Sequence, residues 1–259
     1  MKRRLFALGL TLAFATFVGQ ARSEDEKTST IRGSIVYPTA PPAEKIIAAA
    51  SGIPACVVKG AVKEQVWEVD AKTKGIKNIF VWIEPAGAKR GAPFPKESIH
   101  PKAAKVPAVP AFIDQPCCAF EPRVVAVRVG QEFIVKNSAP IAHNAKWASS
   151  GNGEVNPLIP ANSQYKLEAP IALEKNAINL SCNIHGWMNA FVRVYDHPYY
   201  AITDKDGKFE IPMALPGKYI MYVWHETGWI AGKAGAKGTP IELKAGVNDL
   251  KETEWKFGE

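Results

Sequence analysis

Three side chains with metal-binding atoms lie in one short segment of the sequence, NLSCNIHGWMNA. A thiol (Cys182), an imidazole (His185) and a thioether (Met188) are separated from one another by two residues each. Sulfur ligands combined with imidazole favour copper, because a thioether is a poor ligand for zinc. A mononuclear copper site with one cysteine also requires a second histidine. The segment therefore predicts three of four ligands and requires a fourth from elsewhere in the chain.

The second histidine is predicted to be His143, which follows the strand-like stretch EFIVKN and directly precedes Asn144. His143 lies 39 residues before Cys182. Two or three strands of a sandwich fit into that separation, so the end of one strand can return beside the later loop. The three remaining histidines lack such a setting: His100, His197 and His225.

Most of the chain alternates in the manner of β-strands, for example in TIRGSIVYP, KNIFVWIEP, NAINLSC and NAFVRVYD. The stretch VRVGQEFIVKN predicts a hairpin that turns at Gly130 and Gln131. PPAEKIIAAASG predicts a helix, and residues 87–110 predict a long surface loop. The sequence therefore predicts an all-β protein built as a sandwich or a barrel.

The sequence pattern changes near Asp196, after which tight-turn motifs such as TDKDGKF and LPGKY occur close together. A domain boundary is predicted there, between a first domain at residues 24–196 and a smaller one at 197–259. A unit of about 60 residues is marginally stable alone, so we expect the second domain to pack against the first.

The first 23 residues predict a cleaved signal peptide. A basic start (MKRR) precedes an apolar run from Leu5 to Gly19, which is short for a membrane span, and the small-residue site ARS ends at Ser23. Cleavage removes four basic residues and no acidic ones, so the net charge falls from +7 to +3. This small excess of positive charge argues against a nucleic-acid partner. No segment after residue 23 is apolar enough to cross a membrane, so we do not expect an integral membrane protein. The mature chain is therefore predicted to be periplasmic or extracellular.

Four cysteines are present: Cys56, Cys117, Cys118 and Cys182. Disulfides persist in an exported protein. If Cys182 is reserved for a metal, three cysteines remain, and adjacent cysteines rarely pair with each other. We therefore predict one disulfide between Cys56 and either Cys117 or Cys118.

This combination of motifs resembles the cupredoxins, the family of small blue copper proteins. The shared pattern consists of residues at characteristic spacings after a glycine turn: Asn137, His143, Asn144, Cys182, His185 and Met188. The short spacing before the methionine resembles amicyanin, and the wider stretch resembles periplasmic proteins named for methylamine utilisation. The resemblance extends over residues 113–226. After residue 197 the chain also resembles carboxypeptidase-regulatory-like and transthyretin-like sandwiches, through TDKDGKFEI and LPGKYIMYVWHE.

The resemblance implies a cupredoxin-like Greek-key β-sandwich over residues 24–196, followed by a small β-sandwich module over 197–259. It implies one type 1 copper ion, held by ring nitrogens of His143 and His185, the thiolate of Cys182 and a long axial bond to Met188. Asn144 would join the two ligand segments by hydrogen bonds. The implied function is an electron carrier that exchanges one electron with redox partner proteins, and not an enzyme.

Two other functions remain open from the sequence. The first is a periplasmic protein that stores or delivers copper, although such a protein would favour a methionine-rich or histidine-rich tract and only four methionines occur in the chain. The second is a non-redox envelope protein whose C-terminal module binds polysaccharide or protein.

Overall fold

The computed structural model describes residues 28–168 and 170–255, so the predicted signal peptide lies outside the described part of the chain. Short strands dominate this part, and its helices are single turns. The strands are β1 (Ser29–Val36), β2 (Phe80–Pro85), β3 (Ala111–Ile113), β4 (Val124–Arg128), β5 (Phe133–Asn137), β6 (His143–Asn144), β7 (Trp147–Ser149), β8 (Gly153–Val155), β9 (Leu158–Ile159), β10 (Ser163–Lys166), β11 (Ile178–Ser181), β12 (Asn189–Tyr195), β13 (Tyr200–Ile202), β14 (Lys208–Ala214), β15 (Gly217–His225), β16 (Gly228–Trp229), β17 (Thr239–Leu243), β18 (Gly246–Asp249) and β19 (Thr253–Glu254). The helices are α1 (Ala48–Ser51), α2 (Pro101–Ala104) and α3 (Gly232–Gly235), with 3-10 turns at Pro54–Cys56 and Lys96–Ser98. The predicted all-β class is confirmed.

Four small sheets form the part of the fold that contains the predicted ligands, which lie on β6 and on the loop between β11 and β12. One sheet has the strand order β10-β5-β3, a second has the order β11-β12-β4, and the pairs β6-β9 and β7-β8 complete the group. These sheets enclose a hydrophobic core that includes Val127, Val135 and Val192. Cys182 and Met188 belong to the same core, so packed side chains anchor the loop that bears them.

Two further sheets combine strands from both ends of the chain. In one of them β1 lies between β14 and β18, with β19 also paired to β1. In the other, β2 lies between β13 and β15, which also pairs with β16 and β17. The domain boundary predicted at residue 196 stays a prediction, but strands from before and after that residue are hydrogen-bonded neighbours in these sheets.

The alternation of side chains explains why these segments form strands. In β14 the side chains of Phe209 and Ile211 are buried, whereas Lys208 and Glu210 are exposed. This period of two places the apolar side chains on one face of the sheet, where they join a second core, and the charged ones in solvent.

The two groups of sheets are in contact through an aromatic cluster and a buried ion pair. Trp82 of β2, Tyr195 of β12 and Tyr222 of β15 share one cluster of buried side chains. Arg123, just before β4, forms two bonds with Glu226, at 2.9 Å and 2.6 Å, and also donates to a backbone carbonyl at the start of β12. The segment that precedes β4 is thereby tied to the end of β15.

The predicted hairpin at Gly130 and Gln131 is wrong, although the chain does turn there. Gly130 has a φ of 81°, and the backbone N–H of Gln131 donates to the carbonyl of Arg128 at 2.9 Å. However, β4 pairs with β12 and β5 pairs with β10 and β3, so the two strands belong to different sheets. Both strands bury apolar side chains in the core between these sheets, and the turn passes from one sheet to the other.

Two local predictions need smaller changes. The predicted helix is limited to α1, because the backbone N–H of Ile47, just before it, pairs with the carbonyl of Val62 at 2.8 Å in an extended segment. The predicted surface loop at residues 87–110 also buries Phe94, whose N–H donates to Asp196 at 2.8 Å. Within residues 28–168 and 170–255, no helix has the length and apolar character needed to cross a membrane.

Candidate metal centre

The loop at residues 182–188 connects two antiparallel strands, β11 and β12. Its ends are closed by backbone hydrogen bonds: the N–H of Cys182 donates to the carbonyl of Met188 at 3.2 Å, and the N–H of Met188 donates to the carbonyl of His185 at 2.9 Å. The strand pair and these two bonds together fix the backbone of all three loop residues predicted to be ligands.

His143 reaches this loop through its own strand, β6. His143 is paired with Ile159 of β9. Just after β6, Lys146 and Ser181 exchange backbone hydrogen bonds of 2.8 Å and 2.9 Å, which joins this segment to the end of β11. His143 is therefore placed beside Cys182 by backbone pairing, despite the 39 residues between them.

Three donor atoms converge in the space between these segments. The Nδ1 atoms of His143 and His185 lie 3.1 Å apart, and each lies 3.9 Å from the sulfur of Cys182. Metal bonds of about 2.0–2.1 Å to histidine nitrogen and about 2.3 Å to thiolate sulfur place donor atoms at about these separations. The three residues therefore fit one metal ion, and their exposed fractions of 0%, 2% and 3% show that it would be shielded from water.

The contacts of Nε2, the other ring nitrogen of His185, determine whether Nδ1 is available to a metal. This Nε2 lies 3.6 Å from the sulfur of Cys56 and 3.8 Å from that of Cys118, and these two cysteines form a disulfide. Disulfide sulfur can accept but not donate a hydrogen bond, so a hydrogen bond at this contact requires the proton on Nε2. The unprotonated Nδ1 of His185 then points at Cys182 and His143, which is the tautomer that a metal ligand needs.

Burial keeps both imidazoles neutral at physiological pH. Burial lowers the pKa of His143 to about 4, and the charge of the neighbouring His185 makes a smaller contribution in the same direction. Burial also lowers the pKa of His185. A neutral imidazole can donate its lone pair to a metal without first losing a proton. Nε2 of His143 has no hydrogen-bond partner among the described residues, so packing and the pairing of β6 orient this ring.

Asn144 connects the two segments that bear the donor atoms. Its Oδ1 accepts a hydrogen bond from the N–H of Asn183 at 2.8 Å and lies 3.3 Å from the sulfur of Cys182, whose thiol donates to it. Its backbone carbonyl accepts a bond from the side-chain amide of Gln115 at 3.1 Å. These contacts are of the kind that hold a ligand in place, while the predicted role of Asn144 in a loaded site stays a prediction.

Met188 and Trp187 occupy the end of the loop. Met188 is 2% exposed and packs in the core beside Cys182, and its assignment as an axial ligand stays a prediction. Trp187 lies with its ring 5.2 Å from that of His185, and its indole N–H donates to the carbonyl of Cys118 at 2.9 Å. Trp187 also lines a groove of about 360 Å³ together with Arg123 and Phe191.

The predicted disulfide is confirmed and involves Cys118, while Cys117 is free. Its contact with His185 was missed by the sequence analysis. The only sequence signal was the pair of adjacent cysteines, which shows that a bridge is possible but not what lies beside it.

No protein-family model matches the sequence, and no curated protein matches it. Among solved structures, a reduced Cu(I) form of an amicyanin variant is similar over 35% of this chain and 87% of its own, at 21% identity and a TM-score of 0.30. Another amicyanin variant in its reduced state covers 44% of this chain and 98% of its own, at 21% identity and a TM-score of 0.29.

A purple cupredoxin from Nitrosopumilus maritimus is also similar, over 32% of this chain and 98% of its own, at 18% identity and a TM-score of 0.27. The chain is thus similar to cupredoxin structures over 32–44% of its length, and its candidate metal centre is defined by the distances given above.

Proposed function

We propose that the chain is an exported one-electron carrier that holds a single type 1 copper ion with His143, Cys182, His185 and Met188. The observation that supports this most directly is the convergence of two Nδ1 atoms and one sulfur at 3.1 Å, 3.9 Å and 3.9 Å in a buried space. One thiolate with two imidazoles is the donor set of a blue copper site, and a weak thioether completes it.

Bound copper supplies a reversible exchange of one electron between Cu(I) and Cu(II). The surrounding residues limit how much the donor atoms move during that exchange. Backbone hydrogen bonds close the loop between Cys182 and Met188, Asn144 bonds to Asn183, and the disulfide lies against the far edge of His185. A fixed donor geometry lowers the reorganisation that accompanies each transfer.

We further propose that redox proteins are the partners and that the chain has no enzymatic activity. The donor atoms are almost completely buried, which leaves no open position for a substrate. Export is supported by residues 1–23, which lie outside the described residues, and by a disulfide that is typical of oxidising compartments.

The visible absorption spectrum of the mature protein loaded with Cu(II) tests this function. We expect an intense thiolate-to-copper charge-transfer band in the wild type and in Cys117→Ser, and no such band in Cys182→Ser. Circular dichroism of the same samples checks that each variant is folded. A band that survives in Cys182→Ser contradicts the site.

Other results would support the other functions. Tight copper binding without the band and without a reversible couple in voltammetry indicates a protein that stores or delivers copper. A stable fold that binds no copper indicates a non-redox envelope protein.

A further inference from the structure

A second group of donor atoms lies on the opposite side of the His185 ring. Nε2 of His185 is 3.6 Å from the sulfur of Cys56 and 3.8 Å from that of Cys118. The three donor atoms lie within 4.8 Å of one another, and all three residues are buried. As long as the two sulfurs form a disulfide, neither is a thiolate and the group cannot bind a metal ion.

We propose that reduction of the Cys56–Cys118 disulfide opens a second metal site, in which the two thiolates and Nε2 of His185 bind Cu(I). The reductant is a dithiol. Its two sulfurs form a new disulfide as the Cys56–Cys118 bond breaks, and its two thiol protons pass to Cys56 and Cys118. Binding of Cu(I) then displaces the two cysteine protons, with no further change in oxidation state. The proton on Nε2 of His185 moves to Nδ1 of the same ring, so His185 serves one of the two sites at a time.

The three residues remain neighbours after the sulfur–sulfur bond is broken, because other contacts hold them. Cys56 ends a 3-10 turn, in which its N–H donates to the carbonyl of Ile53 at 2.9 Å. The indole of Trp187 donates to the carbonyl of Cys118 at 2.9 Å, and Trp187 lies one residue before Met188 in the ligand loop. Cys56 and Cys118 also belong to the core that contains Cys182.

The donor set favours Cu(I) over zinc. Two thiolates and one imidazole nitrogen suit a soft monovalent ion with a low coordination number. A structural zinc site requires four ligands. Among the described residues, the cluster that contains Cys56 and Cys118 offers only three ligand atoms from His, Cys, Asp and Glu.

A reductant can approach this region from a groove of about 1080 Å³. Its walls include Cys117 and Ala119, the residues on either side of Cys118, together with charged residues such as Lys59 and Glu121. The bridge itself is buried, but its sequence neighbours face this open space.

The site can be tested independently of the proposed function in the Cys182→Ser background, because that substitution removes the thiolate of the first site. The full mature chain is reduced with dithiothreitol, desalted without oxygen and titrated with Cu(I) in competition with a chromophoric Cu(I) chelator. We expect the uptake of Cu(I) to rise by about one ion per chain on reduction, because His143, His185 and Met188 are present in both samples. Adding Cys56→Ser should abolish this rise, whereas the matched variant Cys117→Ser should leave it unchanged.

Alkylation provides a second measurement that needs no cysteine substitution beyond Cys182→Ser. Iodoacetamide treatment followed by peptide mass mapping should show that Cu(I) protects Cys56 and Cys118 but not Cys117. Equal Cu(I) uptake before and after reduction, unchanged uptake in Cys56→Ser, or protection of Cys117 alone would each overturn the proposal. Loss of the folded circular dichroism spectrum on reduction would also overturn it, because the site requires the folded chain.

Discussion

His185 uses its two ring nitrogens for different contacts. Nδ1 faces Cys182 and His143, and Nε2 faces the sulfurs of the disulfide. Because disulfide sulfur can accept but not donate a hydrogen bond, this contact favours the tautomer in which Nδ1 is free to bind a metal. A histidine in solution interconverts between both tautomers, so this contact orients a ligand before any metal arrives.

Met188 determines the balance between the two copper oxidation states if it is the axial ligand. A thioether is soft and neutral and favours Cu(I), whereas an amide oxygen is harder and stabilises Cu(II) more. We therefore expect Met188→Gln to retain copper through the two histidines and the cysteine, to lower the reduction potential and to slow electron transfer. Voltammetry of the copper-loaded variant measures the first effect.

Met221→Gln is the matched control, because Met221 is also buried but belongs to the other core, on β15. Burying an unpaired amide there should reduce the free energy of unfolding by about 1–3 kcal/mol and leave the potential unchanged. If Met188→Gln behaves in the same way as this control, Met188 is a packing residue only.

Short-range spacing was sufficient to predict that Cys182 and His185 lie close together, since only two residues separate them in the loop. The disulfide contact to His185 was not predictable, because Cys56 lies 129 residues away in the chain. No periodicity or motif connects these positions. Their proximity depends on how the turn at Pro54–Cys56 packs on the core.

At the scale of elements, Asn137 at the end of β5 holds the segments on both sides of His143. Its Nδ2 group lies 2.9 Å from the carbonyl oxygens of Ile141 and Ile159 and 3.0 Å from that of Pro160. Ile159 is the partner of His143 in β6 and β9. Asn137 thus connects the approach to His143 with the strand that pairs with it.

We expect Asn137→Asp to be more destabilising at neutral pH than Asn137→Ala. The alanine variant leaves buried carbonyls unpaired, at a cost of about 1–3 kcal/mol. The aspartate variant places a carboxylate against the same three carbonyls, so acceptors face acceptors in a buried site. Urea unfolding measures both losses, and a Cu(II) titration should show weaker binding in both variants.

Asn152→Ala is the control for general loss of stability. Asn152 also connects two loops, through bonds of 2.7 Å and 3.2 Å to the backbone of Ala172, but it has no contact with β6 or β9 through these bonds. It should lower the unfolding free energy without weakening copper binding. An Asn137→Asp variant as stable as the wild type would contradict the role assigned to Asn137.

The strands with clear alternation or continuous apolar runs were predictable, as β1, β2, β11 and β12 show. Which strands pair with each other was less predictable. The stretch from β4 to β5 has every local feature of a hairpin, yet each strand pairs elsewhere, because both strands face the same core from opposite sheets. Local sequence specifies the turn, whereas long-range packing decides which strands become neighbours.

At the scale of the whole molecule, buried histidines make the stability of the fold sensitive to pH. Burial lowers the pKa of His197 to about 3, with smaller contributions from Arg128 and Arg193. Burial, and to a smaller extent Arg123, lower the pKa of His225 to about 4, although its hydrogen bond to the carbonyl of Val66 acts in the opposite direction. Both side chains are therefore neutral in the folded protein at pH values where an unfolded chain is already protonated.

The free energy of unfolding of the copper-free protein should consequently fall as the pH is lowered. Above about pH 6.5 neither state binds the protons, so these groups do not affect stability. Between about pH 6.5 and 4 the unfolded state takes up protons that the folded state does not. His225 alone should cost on the order of 3 kcal/mol by pH 4. Urea unfolding at a series of pH values measures the slope.

His225→Gln is the comparison for this slope, because its amide can still donate to the carbonyl of Val66, as Nε2 of His225 does at 2.8 Å. The variant should lose stability more gradually between pH 6.5 and 4, by the equivalent of one proton. Identical slopes in the variant and the wild type would show that His225 does not contribute.

The position of β1 in its sheet affects the order in which parts of the fold can form during synthesis. Its neighbours are β14, β18 and β19, so Ser29 is aligned with Gly246 and Ile35 with Thr253. During synthesis β1 emerges long before β18 and β19, two of its three partners. Pairing over so great a sequence separation is slow to form. A nascent chain therefore cannot close this sheet before β18 and β19 have been made, and this part of the fold matures only after those two strands emerge.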